Sequence, residues 1–169
     1  MERPLRALAI TVSDRAAAGV YADRSGPLLV TLLVEAGFEV DGPIVLPDGE
    51  PVEAELRSAI AGEYDVVVTT GGTGLSPRDR TPEMTARVLD REVPGIAEAI
   101  RAAGRASVPG AVLARGLAGV AGRTLIVNLP GSTGGVRDGM SVLTPVLHHA
   151  VDQIAGVDHG AGVAADGGS

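Results

Sequence analysis

The sequence lacks several residue types on which common catalytic and structural sites depend. It contains no cysteine, which excludes thiol nucleophiles, thiolate metal sites and disulfides. All 14 of its basic residues are arginine, so a lysine nucleophile, a Schiff base and the lysine of a Walker-type phosphate loop are excluded as well. With two Tyr, one Phe and no Trp, the chain offers few rings on which nucleic-acid bases could stack.

A long apolar run and a net positive charge are also missing. No apolar run approaches the ~20 residues of a membrane span, and the N-terminus lacks the basic-then-apolar order of a signal peptide. The net charge of −7 argues against broad binding to nucleic acid. We therefore expect a cytoplasmic protein without nucleic-acid or membrane partners, in which any phosphate-bearing ligand is held by local groups.

The most informative segment is residues 65–82, which read D-V-V-V-T-T-G-G-T-G-L-S-P-R-D-R-T-P. The apolar run from Val66 to Val68 is typical of a strand that is covered on both faces of a parallel sheet. The glycines that follow would let backbone N–H groups approach a phosphate closely. Thr81 and Pro82 predict the N-cap and the first residue of a helix. A strand, a glycine-rich loop and a helix start together form the usual anion site of an α/β protein.

Two better-known phosphate-binding motifs do not fit this loop. A Walker-type loop requires a lysine before its helix, and the chain has none. The run Gly72-Thr73-Gly74 begins like a dinucleotide fingerprint, but Pro77 occupies the position of the third glycine. A purely structural glycine turn remains the alternative to an anion site.

Strand-like and helix-like segments alternate along the chain, which indicates parallel βαβ units. We predict a single α/β domain with a mostly parallel sheet over residues 1–155, followed by a mobile tail over residues 156–169. The predicted strands are residues 5–13, 38–46, the run at 66–68, and 124–129. The predicted helices are residues 27–36, 52–61, 82–90, 95–103 and 136–154. Residues 107–122 give no clear pattern.

Three predicted strands end in polar turns, at residues 13–15, 70–74 and 128–132. In an open parallel sheet such strand ends share one edge, so we expect a single composite site. Ordinary turns between strands and helices also favour Gly, Ser and Asp, which is the simpler explanation of each turn alone. The candidate binding residues are Ser13, Asp14, Gly71, Gly72, Thr73, Gly74, Ser76, Arg78, Arg80, Thr81, Pro130, Gly131 and Ser132.

Four separated motifs resemble the molybdopterin adenylyltransferase family of the MogA/MoaB type. They are S-D-R-A-A-A-G-V-Y-A-D-R-S-G-P at 13–27, P-D at 47–48, T-T-G-G-T-G-L-S-P-R-D-R-T-P-E-M-T at 69–85 and N-L-P-G-S at 128–132. The resemblance extends over residues 5–154. It implies an α/β fold in the form of a three-layer sandwich, and a homo-oligomer that is a trimer or a hexamer built as a dimer of trimers.

The resemblance also implies an activity, the transfer of AMP from ATP to the terminal phosphate of molybdopterin with Mg²⁺ as cofactor and release of pyrophosphate. Asp48 and Asp79 match the family's two functional aspartates, and carboxylates are hard ligands of the kind that Mg²⁺ prefers. We expect them to position the metal or the attacking phosphate. The local alternatives are a turn role for Asp48 and a capping role for Asp79. The molybdenum-insertion protein is a further expected partner.

Three departures from the family pattern keep a second class of function open. Gly49 follows Asp48 where many members carry a second acid, Ala114 replaces a serine, and the turn at 132–135 lacks the lysine of some members. A MoaB-like protein that binds a pterin on the same fold without catalysis is therefore an alternative. An unrelated phosphosugar-binding α/β protein would explain the glycine loops but not the coincidence of four motifs.

Overall fold

A computed structural model describes residues 2–157 of the chain. The strands are β1 (Arg6–Val12), β2 (Glu39–Leu46), β3 (Val66–Thr70), β4 (Arg91–Glu92), β5 (Ala118–Ala121) and β6 (Thr124–Leu129). The helices are α1 (Asp14–Ala17), α2 (Ser25–Glu35), α3 (Glu50–Ala61), α4 (Thr81–Ala86), α5 (Pro94–Ser107), α6 (Thr133–Leu143) and α7 (Leu147–Ile154). A 3₁₀ turn at Pro109–Leu113 follows α5.

The six strands form one sheet in the order β2-β1-β3-β6-β5-β4. The first four of these run parallel, β5 is antiparallel to β6, and β4 is antiparallel to β5. Helices cover both faces of the sheet, so the predicted mostly parallel α/β sandwich of three layers is confirmed. Every residue of β3 is buried, which explains why its sequence shows no alternation of apolar and charged residues.

The core consists of two apolar clusters, one on each face of the sheet. Helices α2, α5, α6 and α7 pack on one face around residues such as Leu33 and Met140. Helices α3 and α4 pack on the other face around Leu56 and Met84. Because successive side chains of a strand point to opposite faces, alternate residues of β1 enter different clusters. The sheet is therefore packed by helices on both faces beneath the turns at its edge.

The structure corrects the predicted C-terminal helix. Residues 136–154 were predicted as one helix, but α6 ends at Leu143 and α7 begins at Leu147. Pro145 lies between them, and a proline inside a helix removes a backbone hydrogen bond and clashes with the preceding turn. The segment without a clear pattern, residues 107–122, contains the 3₁₀ turn and β5.

The predicted start of α4 is also wrong by one residue. The helix begins at Thr81, with Arg80 at the N-cap position and no side chain that caps it. The Thr81 hydroxyl is used elsewhere, since it donates to Oδ1 of Asp48 at 3.1 Å. The helix is also shorter than predicted, because it ends at Ala86 and the short strand β4 follows at Arg91.

The N-terminal segment is tied to the sheet through a buried carboxylate. Arg3 donates to both oxygens of Asp65, with Nη1 2.8 Å from Oδ2 and Nη2 2.7 Å from Oδ1. The N–H of Arg6 donates to the same carboxylate at 2.8 Å.

At the C-terminal end, the predicted mobile tail lies outside the described residues from position 158 onward. Within residues 2–157, no helix is both long enough and apolar enough to cross a membrane.

Candidate functional site

The C-terminal ends of β1, β3 and β6 lie side by side and bring the three polar turns to one edge of the sheet. Thr70 of β3 pairs with Thr11 of β1 and with Leu129 of β6. The Thr70 hydroxyl also donates to the carbonyl of Pro130 at 2.7 Å, which joins the turns after β3 and β6. The turns therefore converge, as the parallel order of the strands predicts.

Two open pockets lie at this edge, one on each side of the loop that links β3 to α4. The first has a volume of about 610 Å³ and lies between this loop, α5 and the start of α6. Its lining is largely apolar but includes Arg101 and Arg137. The second has a volume of about 660 Å³ and lies against the turn after β1. Ser13 and Asp14 line it, together with the predicted Arg78.

The loop between the pockets, residues 71–80, contributes to both. Gly71, Gly72, Asp79 and Gly131 line both pockets, so a group bound near them can face either side. The N–H of Gly71 donates to the carbonyl of Leu129 at 3.0 Å. For the three N–H groups that follow, at residues 72–74, the described part of the chain supplies no acceptor. These groups are available to an anion, as the glycine-rich sequence indicates.

Asp48 lies behind this loop, that is, on the side away from the two pockets, and it lines neither of them. Its Oδ1 accepts the N–H of Gly49 at 2.7 Å and the hydroxyl of Thr81 at 3.1 Å, and its Oδ2 accepts the N–H of Arg80 at 2.9 Å. The N–H of Asp48 donates in turn to Oδ1 of Asp14 at 2.9 Å. Asp48 therefore joins the turn after β1, through its backbone N–H, and the end of the loop, through its carboxylate, to the turn after β2.

The close approach of Asp48 explains why the loop needs glycine at position 72. Gly72 has a φ of +71°, which L side chains rarely adopt. A Cβ atom on Gly72 would lie 2.0 Å from Oγ1 of Thr81 and 2.5 Å from Oδ2 of Asp48. The side chains of Thr81 and Asp48 therefore fill the space on the side of the loop away from the pockets. Glycine at position 72 is needed for this close packing as well as for the approach of a ligand to the backbone from the pockets.

Asp79 lies at the other end of the loop and lines both pockets. Its Oδ2 accepts the N–H of Ser76 at 3.0 Å, and its own N–H donates to the carbonyl of Ser76 at 2.9 Å. The carboxylate thus closes a tight turn rather than capping α4, which has no side-chain cap. Asp79 is half-buried, and its position allows it to face ligands on either side.

The two arginines predicted in this loop have different surroundings. Arg78 lines the second pocket, whereas Arg80 lines neither and donates to both oxygens of Glu50, with Nη1–Oε2 at 3.2 Å and Nη2–Oε1 at 2.9 Å. The hydrogen bonds from Arg80 lower the pKa of Glu50.

Of the remaining predicted residues, Ser76 and Thr81 line neither pocket, and Pro130 and Ser132 line the first. Four arginines that were not predicted also line the pockets: Arg15, Arg24, Arg101 and Arg137.

Asn128 anchors the end of β6 beneath the first pocket. Its Nδ2 donates to the hydroxyls of Thr69 and Thr85 at 3.0 Å each, and its Oδ1 accepts the N–H of Leu117 at 3.1 Å. All of its hydrogen-bonding groups are engaged, as a buried amide requires. We therefore interpret Asn128 as a structural residue that fixes β3, α4 and β6 relative to one another.

The carboxylates at this edge fit a magnesium ion that shares its shell with a ligand. Within residues 2–157, no three His, Asp or Glu side chains are grouped closely enough to hold a metal ion by themselves. Mg²⁺ usually takes one or two carboxylates and completes its shell with water and substrate phosphates, so a full protein cage is not required. Asp79 faces both pockets, whereas Asp48 already accepts three hydrogen bonds behind the loop. Of the two predicted aspartates, Asp79 is therefore the one whose position is compatible with such an ion.

Comparison with known proteins identifies the family to which the chain belongs. Residues 8–149 match the family model described as "Probable molybdopterin binding domain". The chain is 40% identical over 156 residues to a molybdenum cofactor biosynthesis bifunctional protein of Synechococcus elongatus; the match covers 91% of this chain but only 49% of that protein. The chain therefore spans about half the length of that relative.

Two further relatives match over most of both chains. The molybdopterin adenylyltransferase of Helicobacter pylori strain J99 is 38% identical over 152 residues, which are 87% of this chain and 86% of that protein. The structure of the molybdopterin biosynthesis Mog protein from Mycobacterium ulcerans superposes with a TM-score of 0.87 at 51% identity, covering 92% of this chain and 99% of that one. The resemblance carried by the four motifs is thus confirmed, and the chain belongs to the molybdopterin-binding family of molybdenum cofactor biosynthesis that this model describes.

Proposed function

We propose that this protein transfers AMP from ATP to the terminal phosphate of molybdopterin and releases pyrophosphate. The observation that carries the proposal is the shared lining of the two pockets: Gly71, Gly72 and Asp79 face both of them. Two ring-bearing ligands can lie on opposite sides of the loop while their phosphates meet beside it. The name of the Helicobacter pylori relative, molybdopterin adenylyltransferase, supports the same activity.

The reaction fits the groups that surround this meeting point. An oxygen of the terminal phosphate of molybdopterin attacks the α-phosphorus of ATP, and the bond from that phosphorus to the bridging oxygen breaks, so pyrophosphate leaves. The attacking phosphate is already a nucleophile and does not require a strong base. The main obstacle is the crowding of negative charge, which preorganised donors and cations relieve. The N–H groups at residues 72–74 and the arginines of both pockets are such donors.

We include Mg²⁺ in the proposal, with Asp79 as its protein ligand and Asp48 as the residue that holds the loop from behind. When bound, the ion would neutralise charge on the phosphate oxygens. The acidic side chain of Asp79 would hold the cation at the boundary of the two pockets. Asp48 would act through the backbone of Arg80 and the hydroxyl of Thr81, both of which it contacts directly.

The test is pyrophosphate release from ATP and Mg²⁺, measured with and without molybdopterin, for wild type beside Asp79→Asn. We expect pterin-dependent release, with kcat lowered in the variant by about 10²-fold or more, as when a group that stabilises transition-state charge is lost. Pterin affinity should remain, because an asparagine keeps an oxygen that can accept the Ser76 N–H. Glu35→Gln, which changes an exposed carboxylate at the end of α2, is the matched control.

Two other outcomes would change the proposal. Tight pterin binding by wild type without any release would favour a non-catalytic pterin-binding protein on the same fold. If Asp79→Asn lost affinity for molybdopterin but kept the kcat of wild type, Asp79 would serve recognition of the pterin rather than the chemical step.

The homo-oligomer with a trimeric core also remains a proposal. Val108, Val112 and Leu113 expose 58%, 54% and 53% of their surface beside the first pocket. A contiguous group of exposed apolar side chains is typical of an interaction surface. Light scattering that gives the mass of a single chain at working concentration would contradict an oligomer, and the measured mass would separate a trimer from a hexamer.

A further inference from the structure

Arg115 contacts both ends of the loop that carries Asp79. Its backbone N–H donates to the carbonyl of Thr73 at 2.9 Å, and its Nε donates to the carbonyl of Gly74 at 2.9 Å. Its Nη2 donates to the carbonyl of Asp79 at 2.8 Å. Its Nη1 binds the carboxylate of Glu83 in the first turn of α4. One side chain therefore joins the beginning of the loop, its end and the helix that follows.

Arg115 reaches the loop from a distant part of the chain, between the 3₁₀ turn and β5. Arg115 lines neither of the two pockets that share the loop, although it does line a smaller third pocket of about 310 Å³ beside α5. All three nitrogens of its guanidinium donate to groups of the protein itself. The two carbonyl oxygens that its side chain binds, on Gly74 and Asp79, flank four exposed residues, 75–78. Hydrogen bonds within this exposed segment close only the local turn between Ser76 and Asp79. Arg115 therefore sets the distance between Gly74 and Asp79.

The geometry requires an arginine rather than any cation. A guanidinium is planar and presents its donors in a rigid fork, so it can bind three acceptors in fixed directions at once. A lysine ammonium is a single compact charge on a flexible stem and cannot span the same three groups. The contact with Glu83 supplies the counter-charge, and hydrogen bonding to Arg115 lowers the pKa of Glu83. The guanidinium is thus held in place from both the loop and α4.

We propose that Arg115 is a positioning residue for adenylyl transfer. By fixing the ends of the 74–79 segment, it directs the Asp79 carboxylate toward the boundary of the two pockets without touching either substrate. This inference rests on the proposed function, since the rate that it controls is the rate of that reaction. A small displacement of a catalytic group by a residue outside the reacting atoms can lower a rate by about 10²-fold.

The experiment compares Arg115→Ala, Arg115→Lys and Glu83→Gln with wild type by two measurements. The first is kcat and KM for pterin-dependent pyrophosphate release, and the second is amide hydrogen exchange of the loop, residues 72–80. We expect Arg115→Ala to lower kcat by about 10²-fold with KM values near those of wild type, and to accelerate exchange in the loop. Arg115→Lys should show nearly the same loss of kcat and nearly the same acceleration of exchange. Glu83→Gln keeps the three carbonyl contacts and an amide oxygen that can accept from Nη1, so it should stay close to wild type. Arg123→Ala, which removes an exposed arginine from the turn between β5 and β6, is the matched control.

A double-mutant cycle separates positioning from a general structural role. If Arg115 acts through Asp79, then Arg115→Ala should cost little further activity in the Asp79→Asn background. An equal cost in both backgrounds would overturn the proposal, as would unchanged loop exchange or full kcat in Arg115→Ala. If Arg115→Ala does not fold by circular dichroism, the same comparisons are decided on Arg115→Lys. A wild type that releases no pyrophosphate would instead remove the proposed function, while accelerated exchange in the variant would still identify Arg115 as the residue that orders the loop.

Discussion

Oδ2 of Asp48 accepts the backbone N–H of Arg80 at 2.9 Å, across 32 residues of sequence. This bond links the turn after β2 to the residue that directly follows Asp79. The same carboxylate accepts the hydroxyl of Thr81 and so also holds the first residue of α4. Asp48 therefore supports the loop from behind, whereas Arg115 fixes its span from the side. The two aspartates identified by the motifs thus occupy different kinds of position.

Asp48→Asn should weaken both the fold and the activity. Each oxygen of Asp48 accepts a backbone N–H, from Gly49 on one side and from Arg80 on the other. An asparagine turns an NH₂ group toward one of these donors in either orientation, so one hydrogen bond is lost in every case. We expect the free energy of unfolding to fall by about 1–3 kcal/mol, the usual cost of leaving a partly buried polar group unsatisfied. Urea unfolding and pyrophosphate release measure the two effects.

Asp90→Asn is the matched control for this substitution. Among residues 2–157, Asp90 accepts a hydrogen bond at Oδ2 alone, from the N–H of Gly122 at 2.7 Å, so an asparagine can keep this bond by turning its oxygen to that side. Stability and turnover should therefore change little. If Asp48→Asn behaved like this control, the carboxylate would not be the support that its contacts indicate.

Gly72→Ala should disturb the loop although it adds only one methyl group. The added Cβ would collide with Oγ1 of Thr81 at 2.0 Å and with Oδ2 of Asp48 at 2.5 Å, and φ at this position is +71°. Forcing an L residue into such a conformation costs about 1–3 kcal/mol before any collision is counted. Because the loop must move to relieve the contact, the N–H groups at residues 72–74 should lose their alignment and molybdopterin should bind more weakly. Calorimetric titration with molybdopterin and urea unfolding test this expectation.

Gly95→Ala provides the comparison, because a Cβ at Gly95 meets no atom within 4 Å. Gly95 lies in the first turn of α5, where alanine is the better helix former by up to about 1 kcal/mol. We expect stability equal to or above that of wild type and unchanged affinity. Normal affinity in Gly72→Ala would show that the N–H groups of the loop do not hold the ligand.

The sheet and the meeting of the three turns could be predicted, because buried strands read as apolar runs and parallel strand ends share an edge. The break between α6 and α7 was equally visible in the sequence as Pro145, although the helical prediction ran through it. The roles of Asp48 and Arg115 could not be predicted from local pattern. Asp48 in the run P-D-G has the sequence context of an ordinary turn residue, and each group that the Arg115 side chain binds is at least 32 residues away in the sequence. Such contacts depend on tertiary packing, which a single sequence does not display.

The arginines that line the pockets show the same limit in another way. All basic residues of the chain are arginine, so the residue type gives no hint of which ones face a ligand. Arg101 lies on α5 and Arg137 on α6, and both are directed to the first pocket by the packing of their helices on the sheet. Arg80, which the motif favoured, is instead paired with Glu50.

Asp65→Asn should remove an acid-sensitive part of the stability. Asp65 is only 5% exposed, and burial alone raises its pKa, but the hydrogen bonds from Arg3 and from the Arg6 N–H outweigh burial and hold the pKa below its ordinary value of about 3.9. A carboxylate whose pKa is lower in the folded state contributes stability that is fully present above the unfolded pKa and is lost as pH falls through the folded pKa. Wild type should therefore lose stability as the solution is acidified below about pH 4, and Asp65→Asn should be less stable at neutral pH with a smaller loss on acidification.

Urea unfolding at a series of pH values measures this difference, with Glu98→Gln as the control. Glu98 is exposed on α5, and its substitution should leave the pH profile of wild type unchanged. Arg3→Ala gives a second check, because it leaves the buried carboxylate with the Arg6 N–H but without the guanidinium. The pKa of Asp65 should then rise, and the loss of stability should begin at a higher pH than in wild type. A profile for Asp65→Asn that parallels wild type over the whole acidic range would show that another carboxylate governs the acid response.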